Sequence, residues 1–261
     1  MLYVLFASVS EPAQLLQFEG ILYKPMGFTL KGYEMVLSNP QILKGYENTL
    51  FYVFFGTTVN LLMTSVAAYT MSRKNLLFGK PIMILIVFTM YFSGGMIPTY
   101  MVIYGLGLKD SIWSVILPWA ILSFYLLLFK TFYEDIPDEI MESASIDGAN
   151  DIVIFFRIVI PMSTTIMASV GLFYAIDNWN NFTNALLYLY DPDKFPLALV
   201  LRNYLVAEGE TSQSNATQEN FVVREAIQSA MIIISLIPIM MVYPFLQKYF
   251  TKGVMLGAVK G

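Results

Sequence analysis

Few residues in this sequence could do covalent chemistry. It holds no cysteine and no histidine, which removes thiolate nucleophiles, Cys/His zinc sites and imidazole bases. Asp147-Gly148 with Asp151 could hold Mg²⁺ in a membrane transferase, yet the rest of such a motif is missing, and no Gly-x4-Gly-Lys-Ser/Thr phosphate loop occurs. What remains are polar residues suited to binding. Asp177, Asn180, Asn181 and Asn184 recur at i, i+3, i+4 and i+7, so on a helix they share one face. They sit in an apolar stretch, where polar side chains face a bundle interior or a wet cavity. Asn amides both donate to and accept from hydroxyls. The set therefore either lines a path for a polyhydroxylated solute or stitches neighbouring helices together. A weaker stripe, Thr57, Asn60 and Thr64, reads as helix stitching.

The elements around these residues belong to a membrane chain. Of 261 residues, 57% are hydrophobic and 13% charged, with a mean hydropathy of +0.62. A soluble domain carries about 25% charged residues. The net charge of -4 leaves no basic patch for nucleic acid. Long apolar runs predict spans over about 50–71, 81–104, 111–132, 161–190 and 226–245, each near the roughly 20 residues a bilayer requires. Ser93-Gly94-Gly95 with Pro98 interrupts the second run, and Pro118 predicts a kink in the third. Residues 1–9 are apolar but too short to span. They lack a signal peptide's basic start and cleavage site, and read as the remnant of a first helix. Arg73, Lys74 and Lys80 follow the first full span, and Lys248, Lys252 and Lys260 follow the last. Both segments lack acids, which places them in the cytoplasm. The segment from Glu134 to Arg157 falls on the same side, although it holds seven acids and one Arg. The stretches 191–224 and Glu208–Asn220 within it read as an outer loop. No domain boundary or repeat is visible, so residues 1–261 form one transmembrane domain.

The cytoplasmic segment 134–161 carries the most specific local signals. Pro137, Asp138 and Glu139 predict a helix start, with acids near the positive end of the dipole. Ile140, Met141 and Ala144 share a face, while Ser143, Ala144 and Ser145 are small enough for a partner to approach the backbone. Gly148 permits the left-handed turn that ends a helix. Asn150 or Asp151 can cap the next one, and Pro161 marks the start of the fourth span. The product is a short helix at the membrane surface suited to docking in a groove of a soluble partner.

Read as a pattern, Glu142-Ser143-Ala144, Gly148 and Ile158-Val159-Ile160-Pro161 resembles the E-A-A-x3-G-x9-I-x-L-P signature of permease subunits of binding-protein-dependent ABC importers. Ser143 and Ile160 are the two departures, and both keep the size class. The resemblance extends to Phe92-Ser93-Gly94-Gly95-Met96-Ile97-Pro98-Thr99-Tyr100, to Trp179-Asn180-Asn181-Phe182 and to the ending Gly253–Gly261. It points to the smaller maltose-type permeases, near the branch that handles plant oligosaccharides. It implies an all-α, polytopic helical bundle, the permease core of a type I ABC importer in the bacterial cytoplasmic membrane. Glu142, Ser143, Ala144, Gly148, Ile158 and Pro161 would couple it to an ATPase, and Asp177, Asn180, Asn181 and Asn184 would line the sugar path. The implied partners are a second homologous permease, a dimer of ATP-binding subunits that holds ATP and Mg²⁺, and an extracellular sugar-binding protein. This chain would need no cofactor or metal of its own and would not be an enzyme. The competing expectation is an ion-coupled transporter or channel acting alone, for which Asp177 is the one clear intramembrane charge.

Overall fold

The computed structural model describes residues 2–15, 20, 22–204, 227–238 and 240–241. In chain order its main helices are α1 (Leu2–Ser8), α2 (Lys31–Leu37), α3 (Pro40–Ser72), α4 (Gly79–Tyr91), α5 (Met96–Gly105), α6 (Ile112–Trp119), α7 (Ser123–Glu134), α8 (Asp138–Ile146), α9 (Asp151–Met162), α10 (Thr164–Trp179), α11 (Phe182–Tyr188), α12 (197–204) and α13 (Ile227–Pro238). Two compact units result: Met1–Leu50 with Leu189–Phe245, and Phe51–Tyr188 with Leu246–Gly261.

In the first unit Val36, Ile42, Leu197, Val200, Ala230, Met231 and Ile234 form one apolar cluster. The loop after Asp191 is fixed to α3 by polar side chains. Asn48 Nδ2 donates to the carbonyls of Asp193 (2.7 Å) and Phe195 (3.0 Å), and Thr49 Oγ1 accepts from the Leu197 N–H at 2.8 Å. The expected outer loop beyond residue 204, the end of the last span, Lys248, Lys252 and the Gly253–Gly261 tail with Lys260 lie outside the described residues.

The second unit is centred on α3, α7, α9 and α10. Phe129, Val159, Val170 and Tyr174 are fully buried in its core. Among the described residues, only α3 is by itself long and apolar enough to cross a membrane, and up to three spans result there if each bent pair counts as one. Pro118 falls in a 3₁₀ turn, Leu117–Trp119, and α6 meets α7 at 55°. α9 meets α10 at 83°. Helix continues through Pro161 to Met162, and the next helix begins at Thr164, after Ser163. A π turn at Phe155–Val159 precedes the proline, consistent with a ladder already disturbed by a residue that lacks an N–H. α4 and α5 are separated at Phe92–Gly95, where the glycines and Pro98 were expected to interrupt the helix.

Each bend is held by a tyrosine hydroxyl supplied by the other bent pair. Tyr174 of α10 accepts the Leu122 N–H at 3.1 Å, at the α6–α7 bend, and its hydroxyl lies 2.6 Å from Thr64 Oγ1 on α3. Tyr133 of α7 lies 2.6 Å from Ser65 Oγ on α3 and also bonds Ser163, at the α9–α10 bend. Backbone groups freed by a bend within a span must find partners inside the protein. Tyr174 supplies one at the Leu122 N–H, Tyr133 bonds the Ser163 side chain, and both tyrosines also bond adjacent residues of α3.

Candidate functional site

The segment 137–161 folds as its local signals require. Pro137 precedes α8 in extended conformation, so it occupies the cap rather than the first helical turn, and Asp138 and Glu139 lie in that turn. At the other end Gly148 has φ +86°. Its N–H donates to the Ser145 carbonyl at 3.1 Å, and the Ala149 N–H donates to the Ala144 carbonyl at 2.9 Å. This paired bonding is a Schellman C-cap, which needs a left-handed residue at that position. Asn150 Oδ1 then caps α9 by accepting the Val153 N–H at 2.9 Å.

The two faces of α8 differ. Met141 and Ala144 pack against the core of the second unit, as do Ala149, Ile158 and Ile160. Glu142, Ser143 and Ser145 face outward, as does Ile146, which is 86% exposed. Gly148 and Pro161 are also exposed. Ile152, at the start of α9, exposes a second large apolar side chain at 68%.

The acid-rich segment and the basic loop after α3 meet. Lys74 Nζ lies 2.6 Å from Asp138 Oδ2, and Arg73 Nη2 lies 3.5 Å from Asp151 Oδ1. The hydrogen bond to Asp138, reinforced by its charge, raises the Lys74 pKa above 10.5. Arg73 also stacks on the Tyr69 ring, 4.3 Å from its centroid, and Nη1 approaches Met141 Sδ at 2.8 Å. These contacts put both loops on one side of the unit. They pair two of the seven acids, Asp138 and Asp151, with the basic loop. The surface between them is a groove of about 940 Å³ lined by Arg73, Lys74, Asp138, Met141, Glu142, Ile146 and Asp151 among others. Sequence reading missed this groove, because which loops meet depends on the packing of α3 against α7 and α9.

The second set of candidate residues is rearranged relative to expectation. Asp177, Asn180, Asn181 and Asn184 do not share one helical face, because α10 ends at Trp179 and α11 begins at Phe182. Asn180 ends the helix itself: its Nδ2 donates to the Ile176 carbonyl at 2.9 Å, the local competition that makes Asn a poor helix interior residue. Asn181 and Asn184 both donate to the Val115 carbonyl, at 3.2 and 3.5 Å, beside the 3₁₀ turn of α6. Asp177 Oδ2 accepts from the Tyr125 hydroxyl at 3.0 Å. Of the four, Asn180 is exposed and Asn184 is buried. Sequence reading did not single out Asn178, which is buried, donates to Thr57 Oγ1 at 3.3 Å and seats its amide against Gly56. A Cβ on Gly56 would lie 3.0 Å from Asn178 Oδ1, so the glycine permits the close approach of α3 and α10.

The model of the family described as binding-protein-dependent transport system inner membrane component matches residues 49–256. The chain belongs to that family. This permease is also similar over its whole length to two proteins of Bacillus subtilis. It is 40% identical to the polygalacturonan/rhamnogalacturonan transport system permease protein YtcP, covering 91% of it. It is 41% identical to protein LplC, covering 88% of it. A chain from the crystal structure of a bacterial ABC transporter involved in the import of the acidic polysaccharide alginate has the same fold, with a TM-score of 0.84 at 30% identity over 95% of this permease and 89% of that chain. The all-α permease architecture, the membrane location and the transport role expected from sequence are therefore those of this protein.

Proposed function

We propose that this permease moves oligosaccharides by alternating access, driven by ATP hydrolysis in a separate subunit. The observation that carries the reading is the two-faced α8. Its inner face packs against the core of the second unit, and its outer face carries Glu142, Ser143, Ser145 and Ile146, of which Glu142, Ser145 and Ile146 line the groove. A rigid helix so anchored transmits a push from a soluble partner to α7 and α10. Glu142, Ser143, Ala144 and Gly148 shape the helix and its cap. Ile158 anchors the far side of the segment to the core, and Pro161 leads into the bend at Ser163.

In this reading a dimer of ATP-binding subunits holds ATP and Mg²⁺ and grips α8. A second homologous permease completes the path, and an extracellular binding protein delivers the sugar. The chain binds no cofactor or metal of its own, performs no catalysis, and acts as one permease domain over residues 1–261. Two of the similar proteins concern acidic polysaccharides, a polygalacturonan and alginate, which supports acidic oligosaccharides as the cargo. Asn180, exposed at the end of α10, is the member of the outer polar set best suited to face that cargo, since Asn181 and Asn184 are engaged with the Val115 carbonyl and Asp177 with the Tyr125 hydroxyl.

The test is co-expression with a candidate ATPase, partner permease and binding protein, comparing wild type with Gly148→Val. A copurifying complex whose ATP turnover rises with binding protein and sugar, and is uncoupled by the substitution, supports the reading. A chain that purifies alone and transports ions down a gradient would replace it with the ion-coupled alternative.

A further inference from the structure

Three polar residues of α3 follow one another along its seam with α10. Asn178 donates to Thr57 at 3.3 Å, and Tyr174 lies 2.6 Å from Thr64. Asn60 stands between them. It is 1% exposed, and neither its Nδ2 nor its Oδ1 meets a hydrogen-bonding partner among the described residues. A buried amide without partners opposes the arrangement that contains it, and inside a span no bulk water relieves it. A leucine of similar size would remove the penalty. Asn60 therefore disfavours the state seen here.

We propose that Asn60 is a positioning residue for the opposite state of the transport cycle, where α10 bonds it. The pairs Thr57–Asn178 and Thr64–Tyr174 show that α3 and α10 run antiparallel. A shift of α10 along α3 by one helical turn, about 5.4 Å, carries either Asn178 or Tyr174 to Asn60 and releases a bond now made. Close-packed helices change between such discrete registers rather than sliding continuously. α10 is also the helix that follows α9 across the bend at Ser163, so it is the span joined directly to the coupling segment. The seam thus holds a polar position that is empty of bonds in one register and filled in the other, and the asymmetry sets the balance between the two states. This inference rests on the permease reading above.

The test uses the assembled transporter with wild-type permease, Asn60→Leu and Asn60→Ser. Two quantities are read: the thermal midpoint of the nucleotide-free complex, and sugar uptake driven by ATP. The expected result is a midpoint for Asn60→Leu equal to or above wild type with uptake lowered about tenfold or more, and partial recovery of uptake in Asn60→Ser. Uptake within about twofold of wild type in Asn60→Leu overturns the proposal. So does a lowered midpoint, which would mean that the amide is bonded in this state. If the wild-type assembly shows no ATP-driven uptake, the permease reading has failed. The midpoint still decides whether Asn60 opposes the present arrangement.

Discussion

The segment 137–161, proposed to couple the permease to its ATPase, and the polar segment 177–184 have similar sequence texture, with small and polar residues spaced as on a helix, but only the first folds as that spacing implies. In the coupling segment every boundary is written locally: Pro137 and two acids start α8, Gly148 ends it with a left-handed turn, and Asn150 caps α9. In the outer segment the polar residues are themselves the breakers. Asn180 takes a backbone carbonyl and ends α10, and Asn181 and Asn184 reach across to the bent α6. Helical spacing predicts a shared face only while the helix persists, and a cluster of asparagines is evidence against persistence.

The comparison is broken most severely at Gly148. No atom lies within 4 Å of a Cβ placed there, so Gly148→Val acts through backbone strain alone, about 1–2 kcal/mol or more for a β-branched residue. Stimulated ATP turnover in the assembled transporter should fall sharply, while Gly148→Asn, which tolerates the left-handed region, should keep most of it. Equal turnover in both variants would show that the cap does not matter. Next in size are the bend-holding hydroxyls. Tyr174→Phe leaves the Leu122 N–H and Thr64 with one partner fewer and should cost about 1–3 kcal/mol, read as a lower thermal midpoint in detergent. An unchanged midpoint would mean that the bend is held otherwise.

The outer segment is sharpened by a pair of variants. Asn184→Leu should destabilise by about 1 kcal/mol through the loss of its bond to the Val115 carbonyl. Asn180→Ala, at an exposed helix end, should shift the midpoint less and alter sugar uptake more. The reverse order would make Asn180 the structural residue of the pair. The smallest effect belongs to Lys74→Gln. The ion pair with Asp138 is solvent-exposed, and such pairs contribute little. Because pairing raises the Lys74 pKa, its contribution is present at pH values below about 10.5 and is lost as pH rises through the raised value. A midpoint difference between wild type and Lys74→Gln that persisted well above that range would show that another group carries it.

Much of the fold was legible because membrane chains follow few rules. Apolar runs located α3, α4 with α5, α6 with α7, and α10, and Gly94, Gly95 and Pro118 marked real interruptions. The bends were not legible. Pro161 marked a break beside Ser163 but not an 83° turn, whose support comes from Tyr133, distant in sequence and brought close only by packing. The outward face of α8 followed from its own residues, whereas the groove beside it required knowing that the loop at Arg73 and Lys74 reaches Asp138 and Asp151. The stripe Thr57, Asn60 and Thr64 read as stitching, which holds for its two ends and leaves its middle residue unbonded.

The central claim is that the outer face of α8 docks on an ATP-hydrolysing subunit while its inner face belongs to the membrane core. The chain has no cysteine, so single cysteines report one position each. The direct measurement is cross-linking in the assembled transporter with a short bifunctional reagent, comparing Ile146→Cys with Ala144→Cys. The account predicts that Ile146→Cys, 86% exposed in the isolated chain, joins the ATPase subunit and is shielded from maleimide by assembly, while Ala144→Cys does neither. Free maleimide labelling of Ile146→Cys in the full complex, with no cross-link formed, would contradict it.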